Sequence, residues 1–302
     1  MDCKLVKMKF LVTGSAGLVG SQVVQDLAKS EHQVYSCYNH SKPNKGIPVQ
    51  LDLVNNNNII QIIENIKPDV IIHLAAMTNV DLCEKEKELA LRINAKATET
   101  LSKQAAKHHS FFVYVSTDYV FDGEKGMKRE SDMPSPVDYY GYSKYQGELA
   151  VQDMASSWCI ARTSTPFGIH PTKKSFPVFV AENLRAKKEI TIVTDQYTSP
   201  TYVPNLSQML IEISARQILG VIHLAGATRT SRYDMATLVA EKLNLEKKLL
   251  KPTTINEMNW IAKRPQDSSL DVSKATQILK EKPLSLKEGL DSFMSEIKTG
   301  SN

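Results

Sequence analysis

Short apolar runs rich in β-branched and aromatic residues alternate, through the first half of the chain, with longer stretches whose apolar positions recur every three or four residues. Runs at residues 9–13, 33–38, 49–53, 69–74, 111–115 and 158–162 predict strands. Between them, Val23, Val24, Leu27 and Ala28 mark one helix, and a second helical pattern extends from Asp81 to about His108. Such unbroken alternation is what a doubly wound parallel sheet requires, so the predicted class is α/β with the sheet built from residues 1–164. After Thr163-Ser-Thr-Pro166-Phe-Gly168 the rhythm becomes irregular. Short strands at 190–193 and 221–224 mix with helices at 176–186, 205–214, 233–243 and 286–297. A smaller, mainly substrate-binding lobe over 165–302 is expected, with elements near 203–224 returning to the sheet.

The first strand runs directly into Gly14-Ser15-Ala16-Gly17-Leu18-Val19-Gly20 and then into a helix. Glycine serves where a turn needs positive φ, where backbone must approach a pyrophosphate, and where helix packs tightly on strand. The free amides of the helix start then meet the phosphates. This is the dinucleotide site of a Rossmann sheet. The second strand ends in Asn39, His40, Ser41 and Lys42 rather than in the acid that would hold the adenosine ribose. No negative charge repels a 2′-phosphate there, Lys42 and Lys45 attract one, and Ser15 or Ser41 can donate to it, so NADPH is expected in preference to NADH. Asp52, beside Leu53, either accepts from the adenine amino group or caps the next helix. Ala75 and Ala76, with Thr78, are small enough at a strand tip to let a cofactor lie across it.

The run from Phe111 ends at Ser116, Thr117 and Asp118, the carboxyl end of a parallel strand, where ligands bind in such sheets. Tyr140 and Lys144 follow four apart, on one face of a helix. A free phenol titrates at about 10, and a nearby ammonium favours the phenolate and brings that value toward the working range. Tyr140 is thus a candidate general acid, with the Thr117 hydroxyl orienting a substrate oxygen beside it. Asn94 is either a hydrogen-bonding residue of the site or a solvated helix position.

Composition narrows the function. In 302 residues, 42% are apolar and 23% charged, with a net charge of +4 and lysines scattered rather than blocked, which does not indicate nucleic-acid binding. Cys3, Cys37, Cys83 and Cys159 contain no C-x-x-C pair, so neither a zinc site nor a disulfide framework is suggested, and free thiols in a reducing cytoplasm are expected. The Lys4-to-Val12 segment is not read as a signal peptide, since glycines interrupt it, and no stretch is apolar enough to span a membrane. His108 and His109 at a helix end suit the macrodipole, and no metal is expected.

With these residues placed, the chain resembles the dTDP-4-dehydrorhamnose reductases, a family of extended short-chain dehydrogenases/reductases. VTGSAGLVG, PDVIIHLAAMTNVD, STDYVFDG, YYGYSKYQGE, ARTSTPFG and DQYTSPTYV fall in that family's order. The resemblance implies NADPH-dependent reduction of the C4 ketone of a nucleotide-linked 4-dehydro-6-deoxy sugar. It implies Tyr140 as catalytic acid, Lys144 as its electrostatic partner and ribose ligand, and Thr117 as the third member. It places Val80, Asp118 and Tyr119 against the sugar, with Gln196 in the DQYTSPTYV motif also at the substrate. Where the family has a tryptophan under the sugar this chain has Thr165, so Phe167 or Tyr119 is expected to supply the flat ring. Asp118 is followed by Tyr119 rather than by a second acid, which removes the dehydratase reading, while an epimerase stays open. So does a non-catalytic role like that of the methionine adenosyltransferase β subunit, which shares the fold and much of the motif set. Lys173, Lys174 and Arg264 either hold the substrate diphosphate or are solvated. The partner implied is a small nucleotide sugar, and a homodimer is left open.

Overall fold

The computed structural model describes residues 7–299, so Cys3 and Lys4 lie outside the described residues. Seven strands form one parallel sheet: β1 (Lys9–Thr13), β2 (Gln33–Tyr38), β3 (Ile47–Gln50), β4 (Val70–His73), β5 (Phe111–Thr117), β6 (Trp158–Thr163) and, much later, β11 (Gly220–His223). Their order is β11-β6-β5-β4-β1-β2-β3. The chain winds outward from β1 to one edge, returns, and winds from β4 to the other. Beyond the carboxyl ends of β1 and β4 therefore lies the crevice where such sheets bind ligands.

β1, β4 and β5 read as near-continuous apolar runs because helices cover both faces. On one face, Val23, Val24 and Leu27 of α1 (Leu18–Leu27) pack with Leu206, Met209, Leu210 and Ile213 of α8 (Val203–Arg216) and with Ala275 of α10 (Ser273–Ile278). On the other, Ile59 and Ile63 of α2 (Asn56–Ile66) meet Ala97, Leu101 and Ala105 of α5 (Ala97–Lys107) and Val151 of α6 (Tyr139–Met154). A second core joins α7 (Phe176–Arg185), α9 (Arg232–Lys242) and α11 (Leu286–Thr299). Around it lie three two-stranded ribbons: β7 (Pro166–Phe167) with β10 (Thr201–Tyr202), β9 (Tyr197–Thr198) with β12 (Thr230–Ser231), and β8 (Ile190–Val193) with β13 (Leu250–Thr253). No helix among the described residues is long and apolar enough to cross a membrane.

Two elements differ from their predicted form. The helix expected from Asp81 to His108 is broken into α3 (Val80–Lys85), α4 (Lys87–Leu91), a π-helical turn at Arg92–Lys96 and α5. Glu86 leaves helical geometry at φ −111° and ψ 58°, and the wider turn buries Asn94, whose side chain bonds both backbone groups of Met77. The third strand starts at Ile47 rather than at 49, because the left-handed turn at Gly46 (φ +78°) delivers Ile47 opposite Tyr35.

Candidate active site

The glycine loop has the form that a phosphate cradle needs. Gly14 has φ +68°, and a Cβ there would lie 2.8 Å from the Ala75 amide nitrogen. At Gly20 a Cβ would lie 2.1 Å from the Gly14 carbonyl oxygen, so loop and helix approach to a distance only glycine allows. Gly17 caps α1 without a side-chain hydrogen bond, and the first helical bond runs from the Ser21 amide to the Gly17 carbonyl at 2.9 Å. The amides of Leu18, Val19 and Gly20 precede it and are the orphan donors of the helix start. This donor set at the β1–β4 crevice fits a pyrophosphate. Ala16 is half-buried in the same turn, as are Ala75 and Ala76 beyond β4, with Thr78 exposed next to them.

Beneath the loop lies a relay that the sequence did not disclose. Thr13 Oγ1 accepts the amides of Leu74 and Ala75, each at 3.1 Å, so its one proton faces His73 Nδ1 at 2.7 Å. His73 Nε2 then donates to Thr98 at 3.1 Å, and Thr98 to the Asn94 carbonyl at 2.9 Å. Burial, with the Lys144 charge adding, pushes His73 down to about 3, so the ring is neutral and ties β1, β4 and α5 together. A histidine inside an apolar strand was the available signal.

The residues expected to choose the cofactor are divided by the structure. Asn39, His40 and Lys42 are exposed on the bend after β2, as is Ser41. Ser15 is corrected: it is buried and its hydroxyl donates to the Cys37 carbonyl at 2.8 Å, leaving no proton for a phosphate. Asp52 does not cap α2, a task that falls to Asn55; its Oδ1 accepts the Val54 amide at 3.0 Å, with Leu53 half-buried between.

Tyr140 stands in the first turn of α6, half-buried, at the carboxyl end of β5. Burial raises its phenol well above the ordinary value; Asp118 and Asp138 push the same way, and a hydrogen bond with Thr117 opposes them. Lys144 is not among the main influences on it. Lys144 is buried, donates to the Val115 carbonyl at 2.8 Å and lies 4.0 Å from the Tyr114 ring centroid, and its own value falls to about 7 through desolvation. The phenol is therefore held as an acid rather than drawn toward phenolate.

Thr117 is saturated. Its hydroxyl donates to Asp118 Oδ1 at 2.9 Å and accepts the Tyr119 amide at 3.2 Å. Asp118 is likewise committed: buried, it also accepts from Ser164 at 2.7 Å and Ser268 at 2.6 Å, tying β5, β6 and the 268 segment together, which takes its carboxylate away from a sugar. Tyr119 crosses Tyr140 edge-on with centroids 5.8 Å apart, and Gln196 Nε2 reaches the Tyr119 hydroxyl at 3.4 Å. Val80 opens α3, half-buried. Phe167 is the clear correction. It is fully buried in the core of the smaller lobe against Tyr202 and Phe293, so it offers no face to a ligand, and Tyr119 is the remaining ring. Phe167→Leu should accordingly lower Tm, at a cost of about 1 kcal/mol, with KM for the sugar unchanged; a raised KM at unaltered Tm would return the ring to the site.

Three arginines complete the surroundings. Arg264 pairs with Asp81 at 2.9 Å and covers the Trp260 ring, while Lys173 is exposed and Lys174 pairs with Glu182. Arg162 of β6 and Glu148 of α6 form a buried bidentate pair at 2.9 and 2.6 Å behind Lys144. Arg232 stands over the Phe176 ring, pairs with no carboxylate among the described residues, and its charge reaches Asp118 and Tyr119.

The sequence matches the RmlD substrate binding domain family over residues 8–299. The chain belongs to that family. Within reach of this RmlD-type chain, the dTDP-4-dehydrorhamnose reductase of Aggregatibacter actinomycetemcomitans is 32% identical over 284 residues, covering 89% of this chain and 92% of that protein. The methionine adenosyltransferase 2 subunit beta of Xenopus tropicalis is 30% identical over 285 residues, 92% of this chain and 84% of that one. The crystal structure of the Bacillus anthracis dTDP-4-dehydrorhamnose reductase in complex with NADP superposes with a TM-score of 0.86 at 30% identity, covering 96% of this chain and 99% of that one.

Proposed function

We propose that this RmlD-family chain is an NADPH-dependent oxidoreductase that reduces the C4 ketone of a nucleotide-linked 4-dehydro-6-deoxy sugar, as the dTDP-4-dehydrorhamnose reductases do. The observation that carries the reading is Tyr140: a phenol in the first turn of α6, at the carboxyl end of β5 and the same sheet edge as the phosphate cradle. Bound there, the reduced nicotinamide supplies a hydride to the carbonyl carbon. Tyr140 gives its proton to the carbonyl oxygen as negative charge develops, and a phenol held in its acid form is suited to that direction. Thr117 stands beside the phenol at the end of β5, and Lys144 holds the ribose side. Tyr119 with Gln196 flanks the sugar, and Arg232, with no acid to satisfy it, is suited to the substrate diphosphate. Residues 1–164 with 203–224 form the dinucleotide-binding unit and most of 165–302 the substrate lobe, a division supported by the separate cores. The buried free thiols of Cys37, Cys83 and Cys159 support a reducing, cytoplasmic setting.

The test is purified protein, NADPH and dTDP-4-dehydrorhamnose, followed by loss of reduced-nicotinamide absorbance. Turnover establishes the reductase. NADPH binding without turnover, together with co-purification of a methionine adenosyltransferase, would favour the β-subunit role that the 30%-identical relative suggests. Cofactor choice is tested separately: one charge-assisted contact from the Lys42 loop, worth roughly 1.5–3 kcal/mol, favours NADPH over NADH by more than tenfold, and Lys42→Glu erodes or inverts the preference. Equal affinities by calorimetry, unmoved by the substitution, would leave that loop without a role.

A further inference from the structure

Two residues before Tyr140, Asp138 caps α6. Its Oδ1 accepts the Gly141 amide at 2.8 Å, an ordinary N-cap bond. Its Oδ2 is unusual: buried, with no hydrogen-bond partner, on a residue 5% exposed. A neutral cap would fix the helix as well, so the second oxygen is an expense that the fold does not require.

The groups around this carboxyl are those of the active site. Cys83 and Glu84 face it from α3, Asp118 and Tyr119 from the turn after β5, Tyr140 from α6 and Arg264 from the 254–272 segment. Arg264 is drawn off by Asp81 and Glu84 by Lys87, while the Glu84 carboxylate also accepts the Tyr139 amide at 3.0 Å. A charge on Asp138 thus has no close cation of its own, and it acts on the Tyr140 phenol.

We infer that Asp138 is a positioning residue for the reduction, its buried carboxylate setting how tightly Tyr140 holds the proton it must deliver. Desolvation lifts this carboxyl to about 6, against the pull of the Gly141 amide. Above that pH the anion joins Asp118 in keeping the proton on the phenol; below it the carboxyl is neutral and Tyr140 releases its proton more readily. The inference rests on the reductase reading, and its first readout does not depend on turnover.

That readout is Tm against pH for the full chain, Asp138→Asn and, as a second neutral cap, Asp138→Ser. A carboxyl whose folded value lies above its unfolded one, near 4, binds more protons when folded. The chain therefore loses stability relative to the variants as pH rises from about 4 to 6, and the gap is constant above. A widening of at least roughly 4 °C is expected. The second readout is the pH profile of kcat: a fall of roughly threefold through pH 6 in the chain, absent in both variants, with KM for NADPH unchanged. A mere cap would leave both profiles alike. Parallel Tm curves overturn the inference whatever the activity, and so does a step at pH 6 that persists in Asp138→Asn. A chain that reduces no ketone at any pH overturns the reductase reading, and the catalytic role of Asp138 with it, even where the Tm curves diverge.

Discussion

Tyr140→Phe is expected to lower kcat by at least about a hundredfold, since positioned general acids contribute roughly a hundred- to ten-thousandfold. The ring is retained, so its edge-on contact with Tyr119 survives and the helix cap at Asp138 is untouched. NADPH affinity and Tm should both stay close to those of the parent chain. Steady-state kinetics with calorimetry separates the cases: near-normal turnover removes Tyr140 from the mechanism, whereas equal losses in kcat and cofactor affinity mean that the phenol's work is structural. Because the Asp138 anion makes the phenol a weaker acid, the loss should be up to about threefold smaller at pH 8 than below pH 6.

Glu148→Ala is expected to be the most damaging single change to stability. It leaves the Arg162 guanidinium buried and unpaired between α6, β6 and the Phe121 ring, whose centroid is 5.1 Å away. Removing one partner of such a pair costs about 3–5 kcal/mol, or roughly 10 °C in Tm. Replacing both, as Glu148→Leu with Arg162→Met, should recover most of that, because no charge is then stranded. Thermal unfolding of the single and double variants decides it; a single variant within about 1 kcal/mol of the parent would show that water reaches Arg162 and the site is not dry.

The sheet was legible because parallel strands buried on both faces must be short apolar runs, and here β1 and β2 start and stop where those runs do. The glycine loop was legible for a related reason: backbone approach leaves no alternative to glycine at Gly14 and Gly20. What escaped was decided by contacts between distant segments. Nothing in residues 81–108 announces a break, since the π-turn exists to let Asn94 reach Met77 and Ser143. Tyr140 and Lys144 were rightly put on one helix, but their spacing cannot say that the ammonium turns to Val115 rather than to the phenol. The burial of Asp118 and Phe167 is set by segments distant in the chain and cannot be read locally. Glu148, one turn after Lys144, and Arg162, inside an apolar strand, were a visible pair of misplaced charges that periodicity alone does not join.

The late return of β11 to the sheet has a bearing on how the chain is made. Synthesis delivers β6 to the solvent with one edge unpaired, and its partner follows only after roughly sixty further residues. At about 5–20 residues per second that edge stays open for roughly 3–12 s. Over the same interval Val23, Val24 and Leu27 of α1 wait for the apolar face of α8. A nascent chain stalled between residues 164 and 203 is thus a sheet with a sticky border and a bare helix, the state in which edge-to-edge association competes with folding.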